Sequence, residues 1–278
     1  MRRAMGYIND LSGRRLSVLW AFVVKDLKQM FRFKTNIVNF VFAPMLTMFS
    51  FFLVYSSVFM QSGVDDLGFV QKQNYVVYLL TGFLAYSYFH MTWGKTKLKS
   101  EKMMQTLDGI LLSPRSRLYI LAGKGVKTFF EIIIVTLIFI AFMFFLTPSI
   151  IWINLFFGTV ALMFIFIIFI SFDFVISSIE LSEEGIAAIL VNYLPRAFLI
   201  LGAVYFPIDI IPKWLWWLAY INPVYIGVNI FRSAFMEANI PLGIPISLLY
   251  IGALALLMPF FAIYVFDFVL KKWGVRGY

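Results

Sequence analysis

The chain of 278 residues contains no cysteine, so a disulfide framework, a thiolate metal site and a cysteine nucleophile are all excluded. It contains a single histidine, His90, which rules out paired-histidine metal sites and histidine relays. Near Trp93 and Lys95, His90 reads as a structural or interfacial residue. Charged residues are also scarce, at 13%, about half the roughly 25% of a soluble domain. No Gly-x-x-x-x-Gly-Lys-Ser/Thr phosphate loop occurs, so the chain has no such site for hydrolysing nucleotide by itself. Because the basic residues are interrupted by 33 Phe and 7 Trp, the net charge of +9 points to a membrane surface and not to nucleic acid.

What is abundant is apolar length, with 62% of residues hydrophobic. Runs almost free of charge cover residues 36–60, 75–93, 128–146, 150–172, 186–206 and 246–266, each close to the roughly 20 residues that cross a bilayer. The first run is too long for a signal-peptide core and lacks a small-residue cleavage site after it, so it reads as a retained span. Thr147, Pro148 and Ser149 separate the third run from the fourth and predict a tight antiparallel hairpin. The expected fold is all-α and integral to the membrane, with six transmembrane helices. Residues 1–35 form a cytoplasmic N-terminus, 36–270 the six-span domain and 271–278 a cytoplasmic tail.

Orientation follows from Lys and Arg, which stay on the cytoplasmic side during insertion. Eight precede the first run, eight lie between the second and third, and three follow the sixth. The opposite loops carry only Lys72, Lys213 and Arg232, so both termini are expected in the cytoplasm of a cell-membrane protein. The remaining basic residue, Arg196, falls within the fifth run, roughly 15 Å from either surface. Such a position is costly against lipid. Arg196 therefore reads either as a structural pair with a neighbouring carbonyl or carboxylate, or as a residue of a translocation path that attracts an anionic headgroup. Pro195 beside it frees a carbonyl near Val191 as one such partner.

Two segments are neither spans nor simple loops. Leu16, Trp20, Val23, Leu27, Met30 and Phe31 share one helical face, with Lys25, Lys28, Gln29 and Arg32 opposite, which predicts an amphipathic interface helix. It serves as a surface anchor or, in addition, as a docking surface for a cytoplasmic partner. Residues 208–245 are punctuated by prolines and hold Trp214, Trp216 and Trp217, so short helices in or dipping into the outer leaflet are expected. Glu131, Asp173 and Asp267 read as helix-end charges that pair with Lys or Arg or reach water. The acidic loop 173–185, with Glu180, Glu183 and Glu184, reads as a solvated turn or a second partner contact.

The loop between the second and third runs carries the most information. Glu101, Thr106, Leu107, Asp108, Leu111, Leu112, Pro114, Arg117 and Lys124 follow the order of the coupling-helix loop in membrane subunits of type-2 ATP-binding-cassette (ABC) exporters, which this chain resembles. Gln105 stands where that family usually has Gly, and Asp108 where it has Glu. A second match comprises Pro207, Pro212, Trp214, Asn222, Pro223 and Arg232, similar to the family's outer re-entrant region. The resemblance implies a permease subunit that moves a hydrophobic, lipid-like, drug-like or glycan-linked substrate outward. It also implies a separate ATPase subunit docked on the coupling helix and using ATP and Mg, and a second copy of this chain or a related permease. This chain itself would bind no cofactor or metal and have no catalytic residue. A secondary transporter would instead show inverted repeats and broken midplane helices, and a non-transporting scaffold would leave the coupling-like loop unexplained.

Overall fold

The computed structural model describes residues 34–61, 66–67, 70–94, 118–147 and 150–272, with Val24 and Leu98 beside them. The predicted interface helix with Trp20, Lys25, Lys28 and Arg32 lies outside the described residues, as does the loop from Glu101 to Arg117.

Among the described residues the fold is almost wholly helical. α1 (Lys34–Gln61) leads through the two-residue strands β1 (Asp66–Leu67) and β2 (Val70–Gln71) into α2 (Tyr75–Thr92). The strands pair antiparallel, with Leu67 opposite Val70. α3 (Leu118–Leu146), α4 (Trp152–Glu180) and α5 (Glu184–Leu201) follow. Two 3-10 turns, Ile208–Ile210 and Lys213–Leu215, then precede α6 (Trp216–Ile221), α7 (Pro223–Arg232) and α8 (Gly243–Lys272). Among the described residues three helical stretches are long and apolar enough to cross a membrane: Thr128–Leu146, Trp152–Glu180 and Gly243–Lys272.

The apolar runs understate some helices and overstate one. α3 begins ten residues ahead of its run and α4 continues eight beyond, because polar residues that end an apolar run still form helix. α5 stops at Leu201, and Gly202–Phe206 turns away from the helix axis. Pro245 falls in the first turn of α8, where its missing N–H leaves no bond unmade.

α2 is the central helix: Tyr78, Leu79, Phe83, Leu84 and Tyr88 are all buried. The Tyr88 hydroxyl bonds the Thr136 hydroxyl at 2.9 Å, tying α2 to α3. α4 makes the largest contacts, against α8 and α7. Gly158 and Gly227 permit the α4–α7 approach, since a Cβ on Gly158 would stand 2.5 Å from Phe231 Cα. The outer surface is apolar. Phe145 is 89% exposed and Leu249 74% exposed, an arrangement that water would penalise and lipid accommodates.

Candidate functional site

Arg232, the last residue of α7, is fully buried between α2 and the turn after α5. Its Nε donates to Thr81 Oγ1 at 3.0 Å, and its Nη1 to the Ala203 carbonyl at 2.9 Å and to Asn229 Oδ1 at 3.3 Å. Nη2 donates to the Tyr78 carbonyl at 3.3 Å, and the guanidinium lies 3.7 Å from the centroid of the Tyr78 ring. All of these partners are neutral. Thr81 can accept because its own proton is directed to the carbonyls of Val77 and Tyr78.

The local chain is shaped to admit this side chain. Ala203 adopts φ +49, which points its carbonyl to both Arg232 and the Tyr78 hydroxyl, the latter donating at 2.6 Å. A left-handed alanine carries about 1–2 kcal/mol of strain, held here by those two bonds. Gly82 lies alongside, and a Cβ there would meet the Val204 carbonyl at 2.2 Å and Arg232 Nη2 at 2.9 Å. The Tyr55 hydroxyl donates to the Tyr205 carbonyl at 2.9 Å, and Tyr205 stacks on Phe51 with ring centroids 4.9 Å apart. One turn of chain, 203–205, is thereby bound by α1, α2 and α7 together.

Pro207, Pro212, Asn222 and Pro223, singled out in the sequence, shape the chain that leads to this cluster. Pro207 and Pro212 precede the two 3-10 turns, where their fixed φ suits the entry position. Asn222 caps α7 by accepting from Val224 N at 2.9 Å, with Pro223 at the first helical position, while its Nδ2 donates to the Phe198 carbonyl of α5 at 2.8 Å. Trp214 is 72% exposed, whereas the Trp216 indole donates inward to the Ile211 carbonyl at 2.9 Å. Arg196 is exposed on α5, as are Tyr193 and Ile200.

At the other end of α2, roughly 20 Å along its axis, Gly94 turns the chain with φ +70 and its N–H donates to Asp173 Oδ1. Trp93 packs against Phe89, Phe169 and Phe172. Of the two expectations for Asp173, pairing with Lys or Arg or reaching water, the second is excluded by its burial. Asp173 is buried in α4 and fixes Gly94, just beyond the C-terminal end of α2. Sequence reading missed this role, as it missed Thr81, Gly82 and Ala203; the Gly94 that follows Trp93 was the available signal. His90 stacks on Tyr86 with centroids 6.0 Å apart, in keeping with a structural role.

No curated protein is similar enough to the chain to count as a relative. The sequence pattern of the ABC-2 type transporter domain matches residues 17–236, which takes in α1–α7, the Arg232 cluster and the loop rooted at Gly94. A match over so much of the chain shows the family, and the protein is a transmembrane permease of the ABC-2 type transporter family.

Proposed function

We propose that this permease is the membrane half of an ATP-driven exporter, crossing the bilayer six times through α1–α5 and α8 with both termini in the cytoplasm. The observation that carries the reading is the partition of charge: nineteen of the 23 Lys and Arg lie before residue 36, between residues 93 and 128 or after residue 266. Helix lengths agree with it. α2 and α5, at 18 residues each, reach about 27 Å, close to the roughly 30 Å hydrocarbon core.

In this arrangement the loop holding Glu101, Leu107, Leu111 and Arg117 faces the cytoplasm and docks on a separate ATPase subunit. Asp173 and Trp93 root that loop against α4, so a push on it tilts α2 and α4 as one body. The Arg232 cluster and the turns from Pro207 to Asn222 form the outer cap. A second copy completes the path, with the exposed α5 face carrying Arg196 toward it, and the Phe-rich helices suit a hydrophobic or amphipathic cargo.

The test is co-expression with a P-loop ATPase encoded beside this chain, followed by co-purification and cargo-stimulated ATP hydrolysis. Replacing Leu107 or Leu111 with Asp is expected to weaken that assembly and leave the permease folded. An intact mutant complex with normal stimulation would refute the docking assignment.

A further inference from the structure

The Arg232 guanidinium has five N–H groups, and four hydrogen bonds engage them: one from Nε, two from Nη1 and one from Nη2. Among the described residues one N–H on Nη2 is left. The Tyr225 hydroxyl, on a side chain that is 1% exposed, has no hydrogen-bond partner among the described residues. Arg232 and Tyr225 line the same cavity, with Tyr78 and Asn229 in its wall and residues 236–239 at its rim.

We propose that this cavity is a binding site for one oxyanion group, a carboxylate or phosphate that approaches between α7 and the 236–239 rim. The site combines the unpartnered Tyr225 hydroxyl with a positive charge whose bonded partners are all neutral. A water molecule would satisfy the tyrosine and leave the charge as it is. An oxyanion accepts from the Tyr225 hydroxyl and places a negative charge beside the guanidinium, forming charge-assisted bonds of the stronger kind. Size limits what enters. The cavity volume is about 20 Å³, room for one or two water-sized groups, so the oxygens of one headgroup or solute enter and the rest of the molecule stays in the mouth. Among the described residues that line the cavity Glu237 is the one acid, and from its exposed position it opposes the bound anion.

The experiment uses the full chain in detergent, with thermal unfolding followed as sodium phosphate replaces sodium chloride at matched ionic strength. Phosphate is expected to raise the midpoint of unfolding in a saturable way. Tyr225→Phe, which removes only the unpartnered hydroxyl, should weaken the apparent phosphate affinity tenfold or more and leave the midpoint in chloride unchanged. Glu237→Gln should tighten it several-fold. The source of the group is read in nanodiscs. If phosphatidylglycerol discs stabilise the protein relative to phosphatidylcholine discs and abolish the response to added phosphate, a lipid headgroup is the occupant. If phosphate stabilises equally in both discs, the occupant is a soluble anion. A wild-type protein indifferent to phosphate and to phosphatidylglycerol, or one whose response is the same in Tyr225→Phe, would overturn the proposal.

Discussion

Gly82→Ala adds one methyl group where α2 meets the turn after α5. The new Cβ would stand 2.2 Å from the Val204 carbonyl oxygen and 2.9 Å from Arg232 Nη2, so the carbonyl must retreat by about 1 Å to reach the 3.4 Å of ordinary contact. That carbonyl has little freedom. Its neighbour Ala203 is held at φ +49 by bonds from Tyr78 and Arg232, and the Tyr205 carbonyl next to it is held by Tyr55. Overpacking of this kind costs about 1–3 kcal/mol, and loosening one bond to the buried guanidinium adds about 1.5–3 kcal/mol. A loss of about 2.5–6 kcal/mol is expected, and at about 2–4 °C per kcal/mol for a chain of this size the unfolding midpoint should fall by roughly 5–24 °C. The assay heats detergent-solubilised protein and follows loss of the monodisperse peak in size-exclusion chromatography. Gly185→Ala is the control, since nothing lies within 4 Å of the added carbon and a helical Gly→Ala change there stabilises by about 0.4–1 kcal/mol. If the two variants melted together, the close packing around Arg232 would not contribute as argued.

Asp173→Ala leaves the Gly94 N–H without its carboxylate and should cost about 1.5–3 kcal/mol, whereas Asp173→Asn, which retains an acceptor, should lose less; thermal unfolding of the pair measures the difference. A cysteine at Lys213 should react with an impermeant thiol reagent applied to intact cells, a simple assay in a chain without cysteine; labelling only after permeabilisation would reverse the topology. Arg196→Gln should keep assembly and the unfolding midpoint close to normal while lowering transport of anionic cargo and its stimulation of ATP hydrolysis. Loss of dimer assembly in that variant would instead make Arg196 structural.

Much of this fold was legible because a membrane helix announces itself by uninterrupted apolar length. Each of the six runs falls largely on a helix, and the prolines at 207, 212 and 223 fall where short elements begin. Helix ends were harder to read, since Leu118–Lys127 and Asp173–Glu180 carry polar residues that lower hydropathy without breaking a helix. The early end of α5 at Leu201 was hidden for the opposite reason: Gly202, Ala203 and Val204 remain apolar while the backbone turns. Arg232 was visible as part of a pattern, yet its burial was not, because Thr81 and Tyr78 lie 151 and 154 residues away in the chain. Asp173 misled in the same way, since a carboxylate near a helix end resembles a solvated one until its long-range partner, Gly94, is known.

The long separation between Arg232 and Thr81 also sets an order of events during synthesis. A ribosome adding about 5–20 residues per second takes roughly 8–30 seconds to deliver Arg232 after Thr81 has emerged. Through that interval α2 exists without the side chain that joins it to α7. That helix therefore waits in an unlocked state that insertion factors can hold or quality-control proteases can sample. Truncation before residue 232 would leave the nascent chain in that state permanently.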